Sequence, residues 1–138
     1  MDAKDYLARA WLIEEQIQSK MEQIESLKSL ACKVTQGFGK EPVAHSPNVT
    51  SMQDVIVHIL EAEEELNRKI DDLVSMKMEV MQVIDQVQNV TLRLILEKRY
   101  LSFFTWERIA VDMGYTVRWA LQHHDEALRV VQKILDGP

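Results

Sequence analysis

The chain is poor in the residues that interrupt helices. Four Gly and three Pro among 138 residues supply too little turn chemistry for a many-stranded sheet, so nearly all of the rest reads as helix. A single cysteine, Cys32, excludes an internal disulfide, and no His or Asp set stands at zinc-ligand spacing from it. Among Leu30, Ala31 and Val34 it reads as a small buried hydrophobe and not a reactive thiol. No apolar run approaches the roughly 18 residues of a membrane span, and no charged-then-apolar leader opens the chain. A cytoplasmic location is therefore expected. A Gly-rich phosphate loop, a nucleophile beside a base and metal-ligand spacing are also missing, so neither an enzyme nor a resident cofactor is expected.

The composition that is present is globular: 46% hydrophobic and 28% charged residues argue against wholesale disorder. The net charge of -6 is unevenly spread. Residues 1–87 hold nine Lys/Arg against 16 Asp/Glu, whereas residues 88–138 hold seven against six. The acid is thus confined to the N-terminal part. A near-neutral C-terminal part permits DNA contact without the strong basicity of a non-specific binder.

From Asp2 to Thr35 the apolar positions step by three and four: Tyr6, Ala10, Ile13, Ile17, Ile24, Leu27, Ala31 and Val34, with Lys20 in the one broken slot. That alternation keeps a stripe on one side of a long helix. Gly37, Gly39, Pro42 and Pro47 then mark a loop over about 36–50, with Thr50 or Ser51 as the next N-cap. A second long helix is predicted from about Met52 to Val87, its seam Ile56, Ile59, Leu66, Ile70, Leu73, Val80, Ile84 and Val87, interrupted at Glu63 and Lys77. Matching stripes joined by a loop predict a long antiparallel helical hairpin over 1–87. Such a hairpin leaves one side of its stripe for the C-terminal domain, a second copy in a homodimer, or both. The acidic run Glu61, Glu63, Glu64, Glu65 with His58 has the wrong order for a di-iron carboxylate motif and reads as a solvated face, not a metal site.

From residue 88 the pattern changes to short helices. Asn89 can cap Val90 to Tyr100, and Ser102-Phe103-Phe104 breaks that helix. Thr105 can cap Trp106–Met113, Gly114 suits a tight left-handed turn, and Thr116 can cap a helix from Val117 to about Leu135. The spacing, with small Ala110 at the crossing, is that of a helix-turn-helix. The fold predicted is therefore all-α: a hairpin followed by a three-helix helix-turn-helix domain over 88–138. Its second helix would enter a major groove of double-stranded DNA. The residues placed there are Thr105, Arg108, Thr116, Val117, Arg118, Gln122 and His123. Arg can donate bidentately to guanine, Gln can pair with adenine, and Thr hydroxyls can meet phosphates. Trp119 either packs on the domain core or lies exposed beside Arg118 to stack on DNA or a partner, and His123 and His124 are expected at the surface or facing phosphates and not as metal ligands.

The segments Leu96-Glu97-Lys98-Arg99-Tyr100-Leu101, Thr105-Trp106-Glu107-Arg108-Ile109-Ala110, Met113-Gly114-Tyr115-Thr116 and Glu126-Ala127-Leu128 resemble the DNA-binding fourth region of bacterial sigma factors. The resemblance implies a helix-turn-helix that reads a promoter -35 element. Val117 and Leu121 stand where sigma factors usually carry basic residues, and Ala120 where they carry a larger core residue. Over nearly its full length, through Ala3-Lys4-Asp5-Tyr6-Leu7, Gln23-Ile24-Glu25-Ser26-Leu27, Arg118-Trp119, His124 and Ala127-Leu128, the chain is similar to small phage and prophage proteins of Gram-positive bacteria. These are treated as sigma-like, ArpU-type late transcription regulators. The resemblance implies a sequence-specific DNA-binding regulator of phage or prophage genes that acts with host RNA polymerase. An acidic hairpin does not resemble the domain that melts a promoter, so an accessory regulator is expected in preference to a complete sigma factor. The rival expectation is a protein-interaction module whose working surface is the acidic hairpin, with the helix-turn-helix as a packing unit.

Overall fold

The computed structural model describes residues 1–40 and 46–138, and the side chains of residues 1–33 and 52–138. Every element among them is helical: α1 (Ala3–Lys40), α2 (Ser46–Ile84), α3 (Val90–Leu96) continued by a π-helical turn (Glu97–Leu101), α4 (Trp106–Met113) and α5 (Val117–Asp136). The chain is all-α over these residues. None of the described helices is long and apolar enough to cross a membrane.

Two sequence-based boundaries move. α1 runs through Gly37 and Gly39 to Lys40, and α2 begins at Ser46, so the loop expected over 36–50 shrinks from both sides and its remainder, 41–45, lies outside the described residues. The side chains of Val34, Thr50 and Ser51 lie outside them too. Two isolated glycines weaken a helix by about 1 kcal/mol each relative to Ala. That is too little to end a helix that already carries many turns.

The described chain groups into two compact units, Met1–Glu14 with Asp72–Pro138, and Glu15–Asp71. The change from long to short helices falls where α2 ends at Ile84 and Asn89 opens α3, near the 87/88 division read from the sequence. Compactness groups the chain differently, because the first turns of α1 and the last turns of α2 share a core with α3 and α5.

In the unit 15–71, Ile17 and Ile24 are buried and Leu27 and Ala31 half-buried, as the α1 stripe requires. The broken slot is filled by charge: Lys20 Nζ lies 3.1 Å from Glu65 Oε2, and its stem is carried along the seam. Lys69 Nζ reaches Gln16 Oε1 at 3.4 Å. Partner numbers therefore fall on α2 as they rise on α1. The seam of α2 is one residue off its expected register at alternate positions. Met52, Val55, Ile59, Ala62, Glu63, Glu65, Leu66 and Lys69 are the half-buried set, while Ile56 is 46% and Ile70 40% exposed. Apolar identity favoured Ile70 over Lys69, yet a lysine can pack its stem and keep its ammonium in water. Cys32 is exposed, a correction to its expected burial: it lies one position round from Ala31, which holds the seam.

The main core cluster lies in the larger unit. Ala3 and Leu7 of α1, Val80, Val83 and Ile84 of α2, Val87 after it, Leu92 and Leu96 of α3, Tyr100, and Ala127 and Val131 of α5 pack together. Asp2 caps α1, its Oδ1 accepting the Asp5 N–H at 2.8 Å. The free N–H of Ala3 donates to Gln132 Oε1 of α5 at 2.8 Å, pinning the start of the chain near its end. Lys77, the second break in the α2 stripe, places its ammonium 4.7 Å from the Phe103 ring centroid. Phe103 itself sits at φ 58°, which costs a side-chain-bearing residue about 1–2 kcal/mol. The cation contact and the bond from Phe104 N–H to Lys98 O, 2.9 Å, hold it there.

Candidate functional site

Local capping positions the C-terminal helices. Thr105 Oγ1 accepts the Arg108 N–H at 3.2 Å to open α4. Gly114 closes it at φ 76°, and Tyr115 N–H returns to Ala110 O at 3.0 Å, a C-terminal motif that only a residue tolerant of positive φ accommodates. Thr116 Oγ1 accepts the Trp119 N–H at 3.1 Å to open α5. Ala110 and Ala120 are both buried, the small side chains a close crossing of α4 and α5 requires.

The residues singled out from the sequence divide into three groups. Thr116, Arg118 and Gln122 are exposed at the start of α5, and the side chain of neither Arg118 nor Gln122 makes a hydrogen bond or ion pair with any described residue. Four apart on a helix, Arg118 and Gln122 share a face. The hydroxyls of Thr116 and Thr105 accept their capping bonds and retain an O–H to donate. Arg108 is held in a separate cluster: its guanidinium stacks 3.6 Å from the Phe104 centroid and lies 3.8 Å from Asp112, which Lys98 also approaches at 3.7 Å. Its charge is thus partly neutralised. Val117 is half-buried and can offer only apolar contact. Asp125 and Glu126, exposed about one turn beyond Gln122, limit the positive patch to the first turns of α5.

His123 is half-buried, its Nδ1–H donating to Trp119 O at 2.9 Å. Trp119 neither joins the core nor projects freely. Its ring stacks 4.1 Å from Tyr115 and lies 4.2 Å from His123. The i, i+4 spacing of 115, 119 and 123 builds an aromatic column beside the Arg118–Gln122 face, with Tyr115 59% exposed. Sequence reasoning passed over Tyr115, although its spacing from Trp119 was visible.

His124 corrects an expectation. It is 5% exposed, inside the core stripe Ala120, His124, Ala127, Val131, a four-three-four spacing that could have revealed it. The Tyr100 hydroxyl lies 2.5 Å from His124 Nε2, and Trp106 meets the imidazole edge-on at 4.6 Å. Burial pushes the imidazole pKa down to about 4, with Lys4 and Arg99 lowering it further and Asp125 opposing them. Burial also pushes the Tyr100 phenol up to about 12. Both are therefore neutral near pH 7, the pair sharing one hydrogen bond in an apolar setting. No sequence signal joins residues 24 positions apart.

Elsewhere, the acidic run on α2 is engaged locally: hydrogen bonding and charge from Lys20 hold the Glu65 carboxyl below its usual range, and His58 lies 3.9 Å from Glu61. Among the described residues no three His, Cys, Asp or Glu side chains converge as metal ligands.

No curated protein and no solved structure matches this chain. Residues 44–130, from the start of α2 to the last turns of α5, match the family described as protein of unknown function, DUF1492, and the chain belongs to that family.

Proposed function

We propose that the protein is a sequence-specific DNA-binding transcriptional regulator. In this reading α4, its turn and α5 form a helix-turn-helix with α5 as the recognition helix, and α1 and α2 form an antiparallel hairpin that carries it. The observation that carries the reading is the pair Arg118 and Gln122, exposed and without protein partners on one face of a capped helix start. Arg offers a bidentate donor to guanine N7 and O6, and Gln a donor–acceptor pair to adenine. Thr116 and Thr105 would meet flanking phosphates. The resemblance of residues 96–128 to sigma fourth regions supports the same assignment and suggests action with host RNA polymerase on phage or prophage promoters.

The test is a salt titration of binding to promoter fragments against random DNA. Selective binding that weakens with salt is expected. Arg118→Ala and Gln122→Ala should each lose about 1–3 kcal/mol of discrimination, roughly 5- to 150-fold in affinity for the preferred site. Arg108→Ala should lose less, since Asp112 already engages that guanidinium. Selectivity unchanged in both α5 variants would overturn the assignment.

A second reading, a protein-interaction surface, rests on α2. Val74, Met78 and Met81, all in the larger unit, are 46–57% exposed and step by four and three along one face of α2. An exposed apolar face at four-three spacing fits a further helix, and a homodimer would supply one while pairing two recognition helices. Sedimentation at micromolar concentration should then show a dimer that Val74→Glu with Met78→Glu dissociates. A monomeric wild-type chain would count against self-association.

A further inference from the structure

A cleft of about 320 Å³ lies within the larger unit, between the first turns of α1 and the helices that carry Tyr100, Trp106 and His124. It is at the small end of ligand pockets, which run from about 300 to 1,000 Å³. Its walls are aromatic: Trp11 from α1, which is 46% exposed, and Trp106 from α4 line it, with Tyr100, stacked on His124, behind them. Leu121 and Leu128 of α5 complete the apolar lining. Two cations reach it. Lys4 lines the cleft and makes no hydrogen bond or ion pair with any described residue. Arg99 is fixed, its Nη1 donating to Phe104 O at 2.9 Å and its guanidinium stacked 4.7 Å from the Trp106 centroid. A guanidinium so held keeps further N–H groups for an anion and loses little freedom on binding one. Asp125 is the one acid in the lining, so the cleft carries a net positive charge. His124 also lines it. Its Nε2 faces Tyr100, and its Nδ1 makes no hydrogen bond, yet no unpaired side-chain nitrogen is sealed from solvent among the described residues.

We propose that this cleft binds a small aromatic carboxylate, its ring packed against Trp11 and Trp106 and its carboxylate taken by Lys4 and Arg99. An exposed Trp beside an unpaired ammonium and a pre-positioned guanidinium is what a flat, singly charged ligand of one or two rings satisfies. A purely apolar ligand would leave the two cations desolvated without a partner. An aliphatic acid would forgo the ring contacts, which contribute beyond mere burial. The site is independent of the DNA-facing residues, so it stands or falls apart from the proposed regulatory role.

The test is calorimetric titration of the full chain with indole-3-acetate and phenylacetate, against indole-3-acetamide and cyclohexylacetate. Saturable binding of the aromatic acids is expected, at least about tenfold tighter than either comparator, the scale of one charge-assisted contact. Lys4→Gln, at an exposed position that leaves the core intact, should remove about tenfold of that affinity while the melting temperature stays unchanged. Leu121→Trp should block the cleft. Absence of saturation with either acid up to millimolar concentration, equal affinity for the amide, or full affinity in Lys4→Gln would each overturn the assignment.

Discussion

Replacing Leu7 with Ala should destabilise the larger unit by about 2–5 kcal/mol, even though α1 is the helix farthest in sequence from α5. Leu7 is fully buried in the same cluster as Val80, Ile84, Leu96, Ala127 and Val131. Removing most of its side chain forfeits the transfer free energy of the lost methyl and methylene groups and leaves a cavity among residues from four helices. A domain of this size is stable by only about 5–15 kcal/mol, so the loss is a large fraction of the total. Denaturant unfolding followed by Trp fluorescence is a suitable readout, because Trp106 and Trp119 sit in α4 and α5. Leu12→Ala, at a position 59% exposed, should change stability by no more than about 0.5 kcal/mol. If Leu7→Ala proved as mild as Leu12→Ala, the first turns of α1 would not belong to the C-terminal core. By the same argument, a fragment of residues 88–138 should unfold or aggregate. It would expose the faces of Leu92, Leu96, Ala127 and Val131 that α1 and α2 cover.

Stability should also fall steeply on mild acidification, and His124 should be the cause. Its pKa lies near 4 in the folded chain against about 6.5 in an unfolded one, so between those values the unfolded state binds the proton and the folded state does not. Stability that depends on a neutral His124 is therefore fully present above about pH 6.5 and declines as pH falls toward 4. The loss reaches about 3 kcal/mol by pH 4, at about 1.4 kcal/mol per pH unit. The carboxylates held below their usual range, Glu65 beside Lys20 and Glu79 beside Tyr6 and Arg9, contribute in the same direction but at lower pH. The window from 6.5 to 4.5 thus reports the buried imidazole. His124→Gln keeps a polar partner for the Tyr100 hydroxyl and removes the titration. Its denaturation midpoint should be nearly flat across that window, whatever its absolute stability. A wild-type slope that persists in His124→Gln would show that another group titrates there.

Interhelical packing explains which sequence signals were informative. The α1 stripe was legible because Ile17, Ile24, Leu27 and Ala31 are apolar at positions that also face inward. The α2 stripe misled at Ile56 and Ile70, where two adjacent heptad stripes, one covered and one open, place apolar residues side by side. Periodicity alone cannot say which stripe meets α1. Caps were legible because they are local chemistry: Asn89, Thr105 and Thr116 accept bonds from N–H groups three residues on, and Gly114 takes the positive φ its position demands. The candidate DNA face was legible as residue types, Arg118 and Gln122 at helical spacing. The i, i+4 spacing of Arg108 and Asp112 was legible too, whereas the stacking of Phe104 on Arg108 was not, because Phe104 reaches it through an irregular turn at Phe103.

The sequence by itself determined the all-helical class, the two long helices and the capped start of α5, since each follows from the spacing of neighbouring residues along one helix. Tertiary structure alone decided that α1 opens the core of the C-terminal helices, that Tyr100 is the partner His124 meets, and that Lys4, Trp11, Arg99 and Trp106 line one cleft. Those depend on contacts between distant segments. They are set by how volumes and charges fit once the helices pack, and no local pattern in the chain encodes that fit.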